Sequence, residues 1–226
     1  MKIQFSYISS SLCSIHHFKN RALRPNKLIF IRNTNINKMG SVFGTIREER
    51  PEYTIRSVKE GEYEIREYKP NIAIETHRNF QNPKEVDSGP FMRLAGYIGV
   101  RTSPQNVRQE PISMTAPVVC VKSTETEKEG DKMQFILPSK LTDPPEPTEG
   151  SEVSVVKRSE KIMAVSTMKG AMDDKQFEEE RDKLLEKLSR DGVEVSNPLY
   201  WETYRYNPPW TIPSMRTNEV AIQLLN

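Results

Sequence analysis

Histidine and cysteine are scarce in this 226-residue chain, with three of the first and two of the second. Residues 39–226 keep only His77 and Cys120. A three- or four-ligand zinc site of nitrogen and sulfur donors cannot be built on that supply from one chain. A lone cysteine cannot form an internal bridge, so a reducing compartment fits better than a disulfide framework. There is no G-x-S-x-G context, no P-loop and no dinucleotide fingerprint. An enzyme relying on acids and tyrosines, around Glu202 and Tyr204, is the enzymatic reading that stays open. Long apolar runs are missing too: none approaches the roughly 18 to 20 residues of a membrane span.

Acidic residues are absent from residues 1–38, which carry seven basic side chains. The remainder holds 26 basic against 31 acidic residues, a net charge of −5 inside an overall +2. A net-negative body argues against a surface that neutralises nucleic-acid phosphates. The chain therefore divides into a leader, 1–38, and a body, 39–226. The leader is basic, serine-bearing and acid-free, which are transit-peptide traits and would send the protein to a plastid or mitochondrion. Its richness in Asn and Ile and poverty in Ala favour a functional start at Met39, and with it a cytoplasmic protein. A start there gives MGSVFG, in which Gly44 occupies the place where myristoylation wants Ser or Thr.

The body alternates and coils in a fixed order. EYEIREY (62–68) and IAIETH (72–77) alternate as strands across a turn at Pro70 and Asn71. SGPFMRLAGYIGV places Phe91, Leu94, Ala95 and Ile98 on one helical face, with Ser88 as a cap and Pro90 in the first turn. EPISMTAPVV (110–119) alternates as a strand, and its Pro117 suits an edge. TETEKEGDK (124–132) is a polar loop and MQFILP (133–138) a short strand. EVSVVKR (152–158) and KIMAVSTMKG (161–170) follow as strands. The helix DDKQFEEERDKLLEKLSRDG has Phe177, Arg181, Leu184, Leu185 and Leu188 along one face, a capping-box-like start from Asp173 and Gln176, and Gly192 to end it. LYWETYRY (199–206) and NEVAIQLL (218–225) close the chain as strands. Each half reads strand–strand–helix–strand–strand. The predicted fold is α+β: a distorted antiparallel β-barrel of two such units, flanked by two helices.

Four features point to an apolar ligand. Phe91, Met92 and Ala95 span an apolar side of the first helix, and Gly96 leaves a gap for something flat; plain core packing is the alternative. YNPPWTIPSMRTNE (206–219) shows Trp210, Ile212 and Met215 between prolines, a composition that suits a pocket wall. Arg216 beside them can pair with carboxylates. Met114 lies on the apolar side of the 110–119 strand. His77 reads as an exposed strand-end residue, with iron ligation as the sharper alternative.

EPISMTAPVV, YEIREY, AGYIG (95–99) and YNPPWTIPSMRTNEV (206–220), in that set over the whole body, resemble the SOUL heme-binding protein family. MGSVFG at Met39 to Gly44 resembles the opening of its plant cytosolic branch. The resemblance implies a two-unit barrel and reversible binding of heme and related porphyrins by a monomeric, non-enzymatic carrier or buffer. It also implies protein partners for heme delivery, with no nucleic acid and no membrane span. Carried over, the groove is Phe91, Met92, Ala95 and Gly96 facing Trp210, Ile212 and Met215, with Arg216 near the propionates. Some animal members are thought to place basic side chains where this chain has Ser88 and Thr211. Binding by burial, without a strong axial bond from His77, is the resulting expectation. A signalling or interaction module with incidental tetrapyrrole binding is the alternative.

Overall fold

The computed structural model describes residues 41–78, 88–100, 102–123 and 130–225. The leader 1–38, most of the polar loop (124–129) and the Ser88 side chain lie outside the described residues. Among the described residues, nine strands form one antiparallel sheet: β1 Tyr53–Lys59, β2 Tyr63–Tyr68, β3 Asn71–His77, β4 Val118–Ser123, β5 Lys132–Ile136, β6 Ser154–Arg158, β7 Lys161–Lys169, β8 Tyr200–Arg205 and β9 Thr217–Gln223. Their order across the sheet is β1-β2-β7-β9-β8-β4-β5-β3-β6. Helix α1, Ser88–Ile98, follows β3, and α2, Asp174–Arg190, follows β7.

The sheet is curled into a half-barrel. Tyr68 on β2 and Tyr204 on β8 are three strands apart in the order, about 14 Å in a flat sheet, yet their ring centroids are 6.2 Å apart. Arg158 on β6 reaches Glu202 on β8 at 2.8 Å across four strand spacings. The ring is not closed by hydrogen bonds: β1 and β6 stand at the two edges of the strand order.

Alternation assigns the two faces. Tyr63 and Ile65 of β2, Ala164 of β7 and Val220 and Ile222 of β9 pack with Phe177, Leu184 and Leu188 of α2. Ile74 of β3, Cys120 of β4 and Met133 and Phe135 of β5 pack with Leu94, Ala95 and Ile98 of α1. The opposite, inner face carries Tyr68, Val119, Met163, Val165, Tyr204 and Ala221. α2 begins as its sequence dictates: Asp173 accepts from the Gln176 amide at 2.8 Å, and the Gln176 side chain accepts from the Asp173 amide at 2.9 Å. Gly192, at φ +68, follows its last turn.

Two readings of the sequence need correction. Residues 110–117 form no ladder. Their backbone is satisfied piecemeal: the Ile112 amide donates to Ile98 O at 3.1 Å, the Ala116 amide to Glu49 O at 2.9 Å, and the Thr115 hydroxyl to Ile136 O. Alternation survives there, with Ile112 and Ala116 buried, but β4 starts only at Val118, after a cis Ala116–Pro117 bond. Pro117 thus precedes a central strand, between β8 and β5, and does not mark an edge one. Of the two edges, β1 is unmarked in the sequence. Almost every side chain in it is exposed, and its register slips between Ile55 and Ser57.

Candidate functional site

The residues expected to bind a flat apolar ligand fall into two groups with different environments. On α1, Phe91 stacks edge-on against Phe135 at 5.3 Å between centroids. Ala95 is buried in the same cluster. Gly96 leaves no gap: a Cβ there would meet the Gln105 side-chain oxygen at 2.6 Å. The Gln105 amide also donates to Gly96 O at 2.9 Å. Met92 alone of the four is exposed, at 44%. This side of α1 is therefore largely core.

The late loop is open. Trp210 is 56% exposed, Met215 46% and Ile212 37%. A 3-10 turn, Pro213–Met215, shapes its end. Arg216 clasps the loop from inside: its Nε donates to Thr211 O at 3.0 Å and its Nη2 to Pro209 O at 2.5 Å. A guanidinium so engaged fixes the loop's curvature while keeping its charge. Thr211 is buried, and its hydroxyl donates to Ser41 O at 2.6 Å.

The loop does not stand alone. The Ile212 amide donates to Val42 O at 3.0 Å, and the Trp210 indole to Ser41 Oγ at 3.1 Å. Gly44, at φ +77, passes so close that a Cβ would lie 2.5 Å from Met215 O. The sequence reading missed this partnership, for which Gly44 was the available signal.

No hydrogen bond or ring contact joins the α1 group to the loop group among the described residues. Neither of the two cavities described includes any of the eight residues. The larger, about 310 Å³, is lined among others by Arg50, Pro51, Lys69, Ile72, Leu137 and Pro138. That volume is at the low end for small-ligand pockets. His77 is exposed at the end of β3. It shares a row with Lys132, Val121 and Glu202. The late loop leaves β8 at Arg205, three residues beyond that row.

Glu202 and Tyr204 sit on the inner face in a closed cluster. Glu202 accepts from Arg158 at 2.8 Å, from the Tyr204 hydroxyl at 2.7 Å and from Lys161. Burial pushes its carboxyl up, but the Arg158 and Lys161 charges outweigh burial and hold it below its ordinary value. A second cluster repeats the chemistry. Glu219 accepts from Arg66 at 3.0 Å and from the Tyr206 hydroxyl at 2.7 Å. Every acidic oxygen here already has a cation or phenol against it, which is the arrangement of a structural tie across the half-barrel.

The architecture is that of a half-barrel backed by two helices, and solved structures share it. The crystal structure of the EcmrR C-terminal domain superposes with a TM-score of 0.50 at 9% identity, over 73% of this chain and 98% of that one. The cryo-EM structure of an EcmrR–DNA complex gives 0.51 at 11% identity, over 71% of this chain and 57% of that one. These likenesses establish the fold and nothing finer. Among curated proteins none matches this sequence. The sequence itself places the chain: residues 48–223 match the family described as SOUL heme-binding protein. The chain belongs to that family.

Proposed function

We propose that this protein binds heme and related tetrapyrroles reversibly, as a soluble, monomeric carrier or buffer, by covering an apolar face and without a strong axial ligand. Family membership over 48–223 carries this reading. The open late loop supports burial as the mode. A tetrapyrrole face offers a few hundred Å² of apolar area, and at about 25 cal/mol per Å² the gross gain is several kcal/mol before association costs. That suits micromolar exchange rather than a permanent cofactor. The residues fit the ligand's face and its carboxylates better than its metal. Cys120 is buried, and His77 sits at the exposed end of β3, with no hydrogen bond to the loop among the described residues. The protein acts without turnover in this reading, since Glu202 and Tyr204 are committed to holding Arg158 and Lys161.

The finer placement follows from MGSVFG, which favours the plant cytosolic branch, a cytoplasmic site and protein partners for heme delivery. Among the described residues no helix is long and apolar enough to cross a membrane. The two halves are read as repeats of one unit. With β1 set aside, exchanging β2 with β6, β3 with β7, β4 with β8 and β5 with β9 returns the same strand order read from the opposite edge.

Hemin and protoporphyrin IX titrated into the protein are each expected to saturate at one equivalent with similar affinity. Failure of both to saturate sinks the proposal. A large preference for hemin that disappears in His77→Ala would replace burial with ligation. The exposed Trp210, Ile212 and Met215 also suit a protein partner. A pull-down partner lost in Trp210→Ala, with hemin affinity unchanged, would favour an interaction module.

A further inference from the structure

The late loop is bonded to a segment that precedes the family match. Phe43 is 58% exposed. Its neighbours Ser41, Val42 and Gly44 are held against Trp210, Ile212 and Met215 by the contacts described above. Four large apolar side chains therefore project from one latched pair of segments, each more than a third exposed. Contiguous exposed apolar surface at the centre of a built structure marks a binding face. On α1, by contrast, Phe91, Ala95 and Gly96 are taken up by the protein's own Phe135 and Gln105.

We propose that Phe43 is a tetrapyrrole-binding residue, and that the macrocycle lies on a platform of Phe43, Trp210, Ile212 and Met215 rather than between α1 and the loop. This rests on the tetrapyrrole-binding reading above. Charge complements shape at this place. Arg50 lies over the Tyr206 ring, 5.5 Å from its centroid, where the loop begins. Arg216 lies where it ends. Neither has a carboxylate partner among the described residues. A porphyrin with two propionates brings an apolar disc and two anions, which is what the platform and its two guanidinium groups lack. Latching matters as much as contact. A platform pre-formed by hydrogen bonds to Ser41 and Val42 spares the ordering cost that a loose loop would add on binding.

The test is a titration of protoporphyrin IX and hemin into the full chain, wild type against Phe43→Ser and Met92→Ser, with far-UV circular dichroism to confirm the fold. Phe43→Ser is expected to weaken both ligands about tenfold, the loss of one buried aromatic contact, while Met92→Ser leaves them unchanged. Tight binding by wild type with no loss in Phe43→Ser overturns the platform and leaves tetrapyrrole binding standing. No binding by wild type overturns the function itself. If Phe43→Ser instead breaks a dimer and spares porphyrin affinity, the surface serves self-association and the proposal is wrong.

Discussion

Glu202 is, from the sequence, a residue an enzyme could use, and in the fold two cations and a phenol hold its carboxylate. Its carboxylate is buried among Arg158, Lys161 and Tyr204. Replacing it with Gln leaves two buried cations without a counter-charge, so Glu202→Gln is expected to cost about 3–5 kcal/mol in urea denaturation. The pH dependence has a definite sign. The folded carboxyl titrates below its ordinary value of 4.5. Its stabilisation is therefore complete above about pH 4.5 and drains away as pH falls toward the folded value. Wild type should lose stability on acidification through that window, and Glu202→Gln should lose less. A variant as stable as wild type at pH 7 would show that the cluster contributes nothing. Gly96 teaches the companion lesson. From the sequence a glycine on an apolar helix side reads as space, whereas here Gln105 occupies it, and only tertiary structure could say so.

At the scale of elements, the helices were the most legible parts. Periodicity, the Asp173–Gln176 box and Gly192 fixed α2 to within a residue or two, because all of those signals are local. Asp173→Ala removes one half of the box and is expected to cost about 1 kcal/mol, read as a lower thermal midpoint with unchanged β-sheet signal. An unchanged midpoint would mean that packing of Phe177, Leu184 and Leu188 alone holds the first turn. Strands were less legible. The alternation of 110–117 is real, yet its amides bond to a helix end and a distant loop, partners invisible to a period count. β1 has the opposite fault: it pairs along its length with β2, but exposure on both faces erases the pattern that would announce it. The late loop was recognised for its exposed aromatics. Its latch was not, because the partner segment lies more than 160 residues away.

For the whole molecule, the sheet order ties the halves together at three places: β2 with β7, β3 with β6 and β4 with β8. The inner face adds Arg66–Glu219 between the halves. The described sheet should therefore unfold in urea as one cooperative unit, with near- and far-UV circular dichroism following a single coincident transition. Two separated transitions would mean that the halves fold independently. An antiparallel, barrel-like sheet with two helices was legible in outline, since the helix positions and most strands follow from local patterns, whereas β1 and the open ring were not. Its polar interior was not. Alternation says only that Arg66 and Tyr63 face opposite ways, and the usual assumption sends the arginine to water. Here curling turns that side inward, and Arg66 is buried at 4% exposure.

The latch between Ser41 and Trp210 has a practical corollary for anyone purifying this protein. In a version begun at Met39, an amino-terminal histidine tag would emerge within a few residues of the platform. Its imidazoles would then offer hemin an axial bond and mask the difference between binding by burial and binding by ligation. Spectra of the tagged and the cleaved protein should differ for that reason, and a carboxyl-terminal tag is the safer choice.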